Sequence, residues 1–224
     1  MQIGMLLFDQ LTQLDLTGPH EVLARIPGAT VHLVAKSPAP VRSETGLVIV
    51  PSTTFADAPA FDLIFAPGGA GQIDATDDGV TIAWLRGVGE RARWVASACT
   101  GALLLGAAGL LRGYRAATHW AFMDLLPLVG AIPVHERVVR DRNRFTGGGV
   151  TAGIDIALTI AADLAGRDVA ERIALQLEYA PAPPVPGDPA RAAPELVARA
   201  RAAVQDRHAV RETQLRRLEL TRSG

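Results

Sequence analysis

Cysteine is almost missing from this chain: Cys99 is the only one. No internal disulfide can form, so nothing points to an oxidising compartment. His32, His135 and His208 lie far apart in sequence, with no close pair of histidines beside a second cysteine, so no metal site is expected. Long apolar runs are missing too. The longest, Ala102 to Leu111, falls far short of the ~20 residues of a membrane span and is cut by Gly106 and Gly109. Met1 leads into Gln2 to Phe8 with no basic stretch, too short for a signal peptide. The expectation is a cytoplasmic protein with no membrane partner. Excess charge of either sign is absent, since the formal net charge is -1, and this argues against a nucleic-acid partner. Lysine is reduced to Lys36 while arginine is plentiful, which reads as codon bias.

What is present is apolar. Hydrophobic residues make up 49% and charged residues 20%, enough for a large core. Buried strands are expected at Gln2–Phe8, Thr30–Ala35, Phe61–Ala66 and Trp94–Ala98, because each is a short apolar run without helical period. Hairpins are expected around Glu44-Thr45-Gly46 and Asp141-Arg142-Asn143. Helices are expected from Asp15 to Pro27, Thr81 to Ala92, Gly101 to Leu110, His119 to Leu128, Thr151 to Leu164 and Val169 to Tyr179. A last single helix is expected over about 190–220. Strands alternating with helices imply an α/β fold with a mostly parallel sheet covered on both faces. No repeat or linker divides residues 1–224, so one domain is expected.

Cys99 falls where a strand-like run ends and a helix-like run begins. Such a turn lifts a side chain out of the sheet toward solvent and sets a sulfur at the positive end of a helix, which favours the thiolate. A free cysteine is more commonly a small buried hydrophobe. The small neighbours Ala96, Ser97, Ala98, Thr100, Gly101 and Ala102 favour the nucleophile, since a tight turn needs them.

Two other loops should share its sheet edge. Asp15 follows the first strand and reads either as a helix cap or as a carboxyl that trades a proton with the reacting group. Pro67-Gly68-Gly69-Ala70-Gly71 follows a buried strand, and the Gly69 and Thr100 N–H groups together could cradle developing negative charge. The same glycines could equally form a plain turn. His20 and His119 could each pair with Cys99, although such histidines are more often structural.

The strand-turn strings Ala66-Pro67-Gly68-Gly69 and Ser97-Ala98-Cys99-Thr100-Gly101 resemble the ThiJ/PfpI superfamily. The likeness to its isonitrile hydratase branch runs nearly end to end. It includes Gln13-Leu14-Asp15-Leu16-Thr17-Gly18-Pro19-His20, Ala117-Thr118-His119-Trp120-Ala121, Thr146-Gly147-Gly148-Gly149 and Tyr179-Ala180-Pro181-Ala182-Pro183-Pro184. Many superfamily members carry glutamate at the acid position, and the protease-like branch carries histidine after the cysteine; this chain has Asp15 and Thr100 there. The resemblance implies a flavodoxin-like three-layer sandwich, nucleophile Cys99, acid/base Asp15 and supporting Thr100. His119, Trp120 and Gly148 are the pocket candidates. It further implies hydration of an isonitrile to an N-substituted formamide through a cysteine thioimidate, no cofactor, no metal, and a homodimer. Competing readings are a glyoxalase, deglycase or amidase of the same superfamily, a non-catalytic sensor domain, and an oxidation sensor. For the last helix, packing on its own domain and a dimer contact stand as alternatives.

Overall fold

The computed structural model describes residues 1–223. In chain order its elements begin β1 (Gln2–Leu6), α1 (Gln13–Leu23), β2 (Thr30–Ala35), β3 (Val41–Arg42), β4 (Val48–Ile49), β5 (Thr53–Thr54) and β6 (Leu63–Ala66). There follow α2 (Gln72–Asp77), α3 (Gly79–Arg91), β7 (Trp94–Ser97), α4 (Gly101–Ala107) and β8 (Arg115–Ala116). A 3₁₀ helix (Trp120–Val129) leads to β9 (Ile132–Pro133), β10 (Val138–Asp141) and β11 (Arg144–Gly147). The chain closes with α5 (Ala152–Ala165), α6 (Arg167–Gln176), α7 (Pro194–Ala202) and α8 (Gln205–Ser223).

Seven strands form the main sheet in the order β10-β11-β7-β6-β1-β2-β5. All neighbours are parallel except β10 against β11. Parallel strands are covered on both faces, which is why Leu63–Ala66 is buried at every position. Alternate residues feed two cores. Ile3, Met5, Leu63, Phe65 and Ala96 face α1, α5 and α6. Leu6, Ile64, Ala66 and Val95 face α4, the 3₁₀ helix and α8. This is a three-layer, flavodoxin-like sandwich. The chain winds outward from β1 through β2 to β5, then returns to β6 on the other side of β1. The crevice at that reversal, beyond the carboxyl ends of the strands, is where such sheets bind ligands.

Two expectations need correction. Residues 119–128 are not an α-helix but open the 3₁₀ segment, with Pro127 inside it and Gly130 at φ 74° ending it. The expected single C-terminal helix is two, because α7 has no buried residue while α8 lays Arg211, Gln214 and Leu215 against the body. That inward face favours packing on its own domain over a dimer contact. The hairpin expected around Glu44-Thr45-Gly46 is present as β3 paired antiparallel with β4, whereas the short α2 and the two-residue strands β5, β8 and β9 carry too little pattern for the sequence to mark.

Candidate active site

Cys99 sits at the end of β7 with φ 53°, the left-handed region a non-glycine residue adopts only when its surroundings hold it there. They do. The Cys99 N–H donates to the Gly148 carbonyl at 2.9 Å, and the Thr118 hydroxyl donates to the Cys99 carbonyl at 2.7 Å. A side chain on Gly101 would collide with the Ala66 carbonyl, so the glycine lets the elbow close onto β6. Gly148, expected as a pocket residue, thus acts through its backbone.

Asp15 comes to the same place from α1. Close helix packing carries it there: a Cβ on Gly18 would meet Ile154 at 3.0 Å, and one on Gly153 would meet Pro19 at 2.9 Å, so α1 and α5 approach closely. Asp15 is no exposed cap; it is fully buried inside the helix. Its Oδ2 accepts the Gly68 N–H at 2.9 Å. Its Oδ1 has no N–H or O–H partner, and the Cys99 thiol is set against this carboxyl. Burial pushes Asp15 up to about 7, against the opposing pull of the Gly68 and Cys99 hydrogen bonds.

Cys99 departs from expectation in exposure. It is only 6% exposed, not lifted into solvent. Burial, and then the neighbouring Asp15 charge, push its thiol well above the ordinary range. The Thr100 N–H pulls the other way, but α4 is too short and the site too dry for that to prevail. The resting sulfur is therefore a thiol.

The Gly68–Gly69 turn is fixed from several sides. Gly69 adopts φ 140°, and a Cβ there would meet Thr12, Gln10 and Leu11 at 2.5–2.6 Å. Its N–H does not point at a free oxyanion site as expected. It donates to Thr100 Oγ1 at 3.1 Å, because the turn closes onto the Thr100 side chain. The Thr100 N–H faces the Cys99 sulfur.

Neither candidate histidine bonds to Cys99. His20 lies on α1 without a described hydrogen bond to the elbow. His119 accepts the Ala121 N–H on Nδ1 at 3.3 Å, capping the 3₁₀ helix, and packs on the Trp120 and Phe122 rings. Burial, then Arg211 and Arg207, push it down to about 4, so it is neutral at pH 7. Its ring borders Gly149, and Trp120 stands beside it with Arg201 over its face at 5.2 Å.

The sequence reading missed Glu44, Gln72 and Arg211. Glu44 accepts the Thr12 hydroxyl at 2.6 Å and the Ala70 N–H at 3.3 Å, bracing the rim. Arg211 reaches the Gly68–Gly69 turn from α8. Its warning was legible: Val204, His208, Arg211, Leu215 and Leu218 share one helix face, and an arginine in such a stripe needs a buried partner.

The site sets one thiol against one carboxyl, an arrangement suited to nucleophilic chemistry. Residues 1–163 match the DJ-1/PfpI family. The chain is 57% identical over 206 residues to an isonitrile hydratase of Pseudomonas putida, covering 91% of this chain and 90% of that protein. A solved THiJ/PfpI family protein from Pseudomonas syringae superposes with TM-score 0.94 at 42% identity, covering 96% of this chain and 90% of its own. Toxoplasma gondii DJ-1 shares the fold, with TM-score 0.70 at 24% identity over 80% of this chain and 99% of its own.

Proposed function

We propose, from the premise that this chain belongs to the DJ-1/PfpI family, that it is an isonitrile hydratase, a lyase acting through Cys99 and Asp15. The observation that carries the reading is the dry Cys99–Asp15 pair, with a carboxyl oxygen free of N–H and O–H partners. It suits a small neutral substrate whose carbon must accept both a sulfur and a proton. The likeness to the Pseudomonas putida enzyme over nine-tenths of both chains supports the same substrate class.

The steps balance without a cofactor. Asp15 takes the Cys99 proton as sulfur bonds to the terminal isonitrile carbon, and returns it to that carbon. The product is a thioimidate, R–N=CH–S–Cys99. Water then adds across the C=N bond, one proton to nitrogen and hydroxide to carbon. The C–S bond breaks, the hydroxyl proton passes through Asp15 to sulfur, and R–NH–CHO leaves. The sum is one isonitrile plus one water giving one N-substituted formamide. Thr100 supports the pair by fixing the Gly69 amide and turning its own N–H to sulfur. His119 and Trp120, whose rings lie 5.6 Å apart, are assigned to the pocket wall as part of this proposal.

The setting is part of the proposal. The chemistry needs a reduced thiol, which suits the cytoplasm. No helix among the described residues is long and apolar enough to cross a membrane. We read residues 1–224 as one domain that pairs into a homodimer, as the resemblance implies. Strictly monomeric behaviour in a size measurement would remove the dimer.

The test is turnover of an aromatic isonitrile, followed as formamide, with Cys99→Ala alongside. Formamide from the wild type and none from the variant is the expected result. Turnover of methylglyoxal but of no isonitrile would overturn the proposed substrate.

A further inference from the structure

Arg211 enters the catalytic centre from α8, outside the residues 1–163 that match the family. It is only 2% exposed. Its Nε donates to Gln72 Oε1 at 2.6 Å, and its Nη2 donates to the Gly69 carbonyl at 2.9 Å. The guanidinium lies over the Phe122 ring at 4.5 Å. Its Nη1 is buried with no hydrogen-bond partner. A buried charge so placed is costly, and one left partly unpaired calls for a reason beyond packing.

We infer that Arg211 is a positioning residue of the Cys99 site: it clamps the Gly68–Gly69 turn that holds Asp15 and Thr100, and supplies the fixed positive charge that steadies the sulfur when the proton moves to Asp15. The clamp is a chain of contacts. Arg211 holds the Gly69 carbonyl, the Gly69 N–H holds Thr100 Oγ1, and the neighbouring Gly68 N–H holds Asp15 Oδ2. One side chain thus fixes the loop that orients both partners of the thiol. The charge acts over a dry path: its field favours the Cys99 thiolate and disfavours protonation of His119.

The groups that face these residues are few. Cys99 meets Asp15, the Thr100 N–H and the Arg211 charge. Arg211 meets Cys99, Arg207 and Glu44. Asp15 meets Glu44 and Cys99. Arginine is the apt cation, since a lysine at this depth would surrender its proton more readily. The inference rests on Cys99 being the reacting group, and it extends the family's shared sandwich with a group from beyond it.

The test uses the only thiol in the chain. Iodoacetamide alkylation of Cys99 is followed against pH in wild type, Arg211→Met, Arg211→Gln and Arg211→Lys, alongside kcat and KM for an aromatic isonitrile. The neutral variants should shift the alkylation midpoint up by a pH unit or more and lower kcat tenfold or more, with KM changed less than threefold. Arg211→Lys should restore the midpoint in part. A folded neutral variant with the wild-type alkylation profile would overturn the inference, as would an Arg211→Lys profile matching Arg211→Met. Glutamine preserves part of the hydrogen bonding if methionine prevents folding. Alkylation requires no isonitrile, so a shifted thiol in a protein that hydrates no isonitrile would sink the proposed substrate and leave Arg211's role standing.

Discussion

The Gly69 amide donates to Thr100 Oγ1 at 3.1 Å, so the two loops that flank the Cys99 sulfur are tied through one buried hydroxyl. Thr100 is 2% exposed, so its hydroxyl is shielded from bulk solvent. Thr100→Val leaves a buried N–H without a partner, a loss of about 1–3 kcal/mol. The expected outcome is a lower urea midpoint for Thr100→Val, with Thr100→Ser close to wild type. Equal midpoints for all three would show that the contact contributes nothing.

The pH dependence of catalysis follows from the proton count of the pair. The reactive state holds one proton between Cys99 and Asp15, and Asp15 binds a second below about 7. The kcat/KM for isonitrile should therefore rise with pH through an acid limb centred near 7. Asp15→Asn should abolish that limb and lower kcat by about 10²–10⁴-fold. A limb near 4 would place Asp15 in a wetter setting than the structure shows.

Stability should run the opposite way. The folded state holds the Asp15 proton up to about 7, whereas the unfolded chain releases it near 3.8. Between those values the native state binds more protons, so stability falls as pH rises. From pH 5 to pH 8 the loss is roughly 3 kcal/mol, two units at about 1.4 kcal/mol each. Asp15→Asn cannot titrate, and its amide oxygen can still accept the Gly68 N–H. Its stability advantage over wild type should therefore grow from pH 5 to pH 8 in urea titrations. A constant difference would mean that Asp15 is not held protonated.

Two glycines separate turn geometry from mere flexibility. Gly69→Ala places a Cβ at 2.5–2.6 Å from backbone atoms of Thr12, Gln10 and Leu11 while φ stays at 140°. Strain and overlap together should cost about 3 kcal/mol and remove turnover. Gly79→Ala, at the start of α3 with nothing within 4 Å, should be neutral or slightly stabilising. Thermal melts of the pair should differ by several degrees, and similar melts would show that the Gly69 turn can relax.

Much of this site was legible because strand-to-loop junctions advertise themselves. Gly68, Gly69 and Cys99 each follow an apolar run of strand length, Asp15 lies in the first turn of the helix after β1, and a parallel sheet gathers such positions at one edge. What the residue string did not carry was bonding state. Nothing in Pro67 to Gly71 says that the Gly69 N–H is already engaged by Thr100. Nor does a strand-to-helix turn say whether its cysteine is wet; Cys99 is only 6% exposed. Arg211 was hardest to place, because its partner Gln72 lies 139 residues earlier. Local pattern marks it as an odd residue in a helix face, and only the tertiary fold supplies the destination. The break between α7 and α8 was hidden for a similar reason, since neither Gly nor Pro interrupts Ala200 to Gln205.

The bond from Arg211 to the Gly69 carbonyl also has a meaning in time. A ribosome delivers the elbow, the carboxyl and the glycine turn long before it delivers α8. During that interval the thiol already exists, yet the side chain that clamps the Gly69 carbonyl does not. Until then the turn beside Asp15 and Thr100 is held from one side only, and the site is completed when α8 docks.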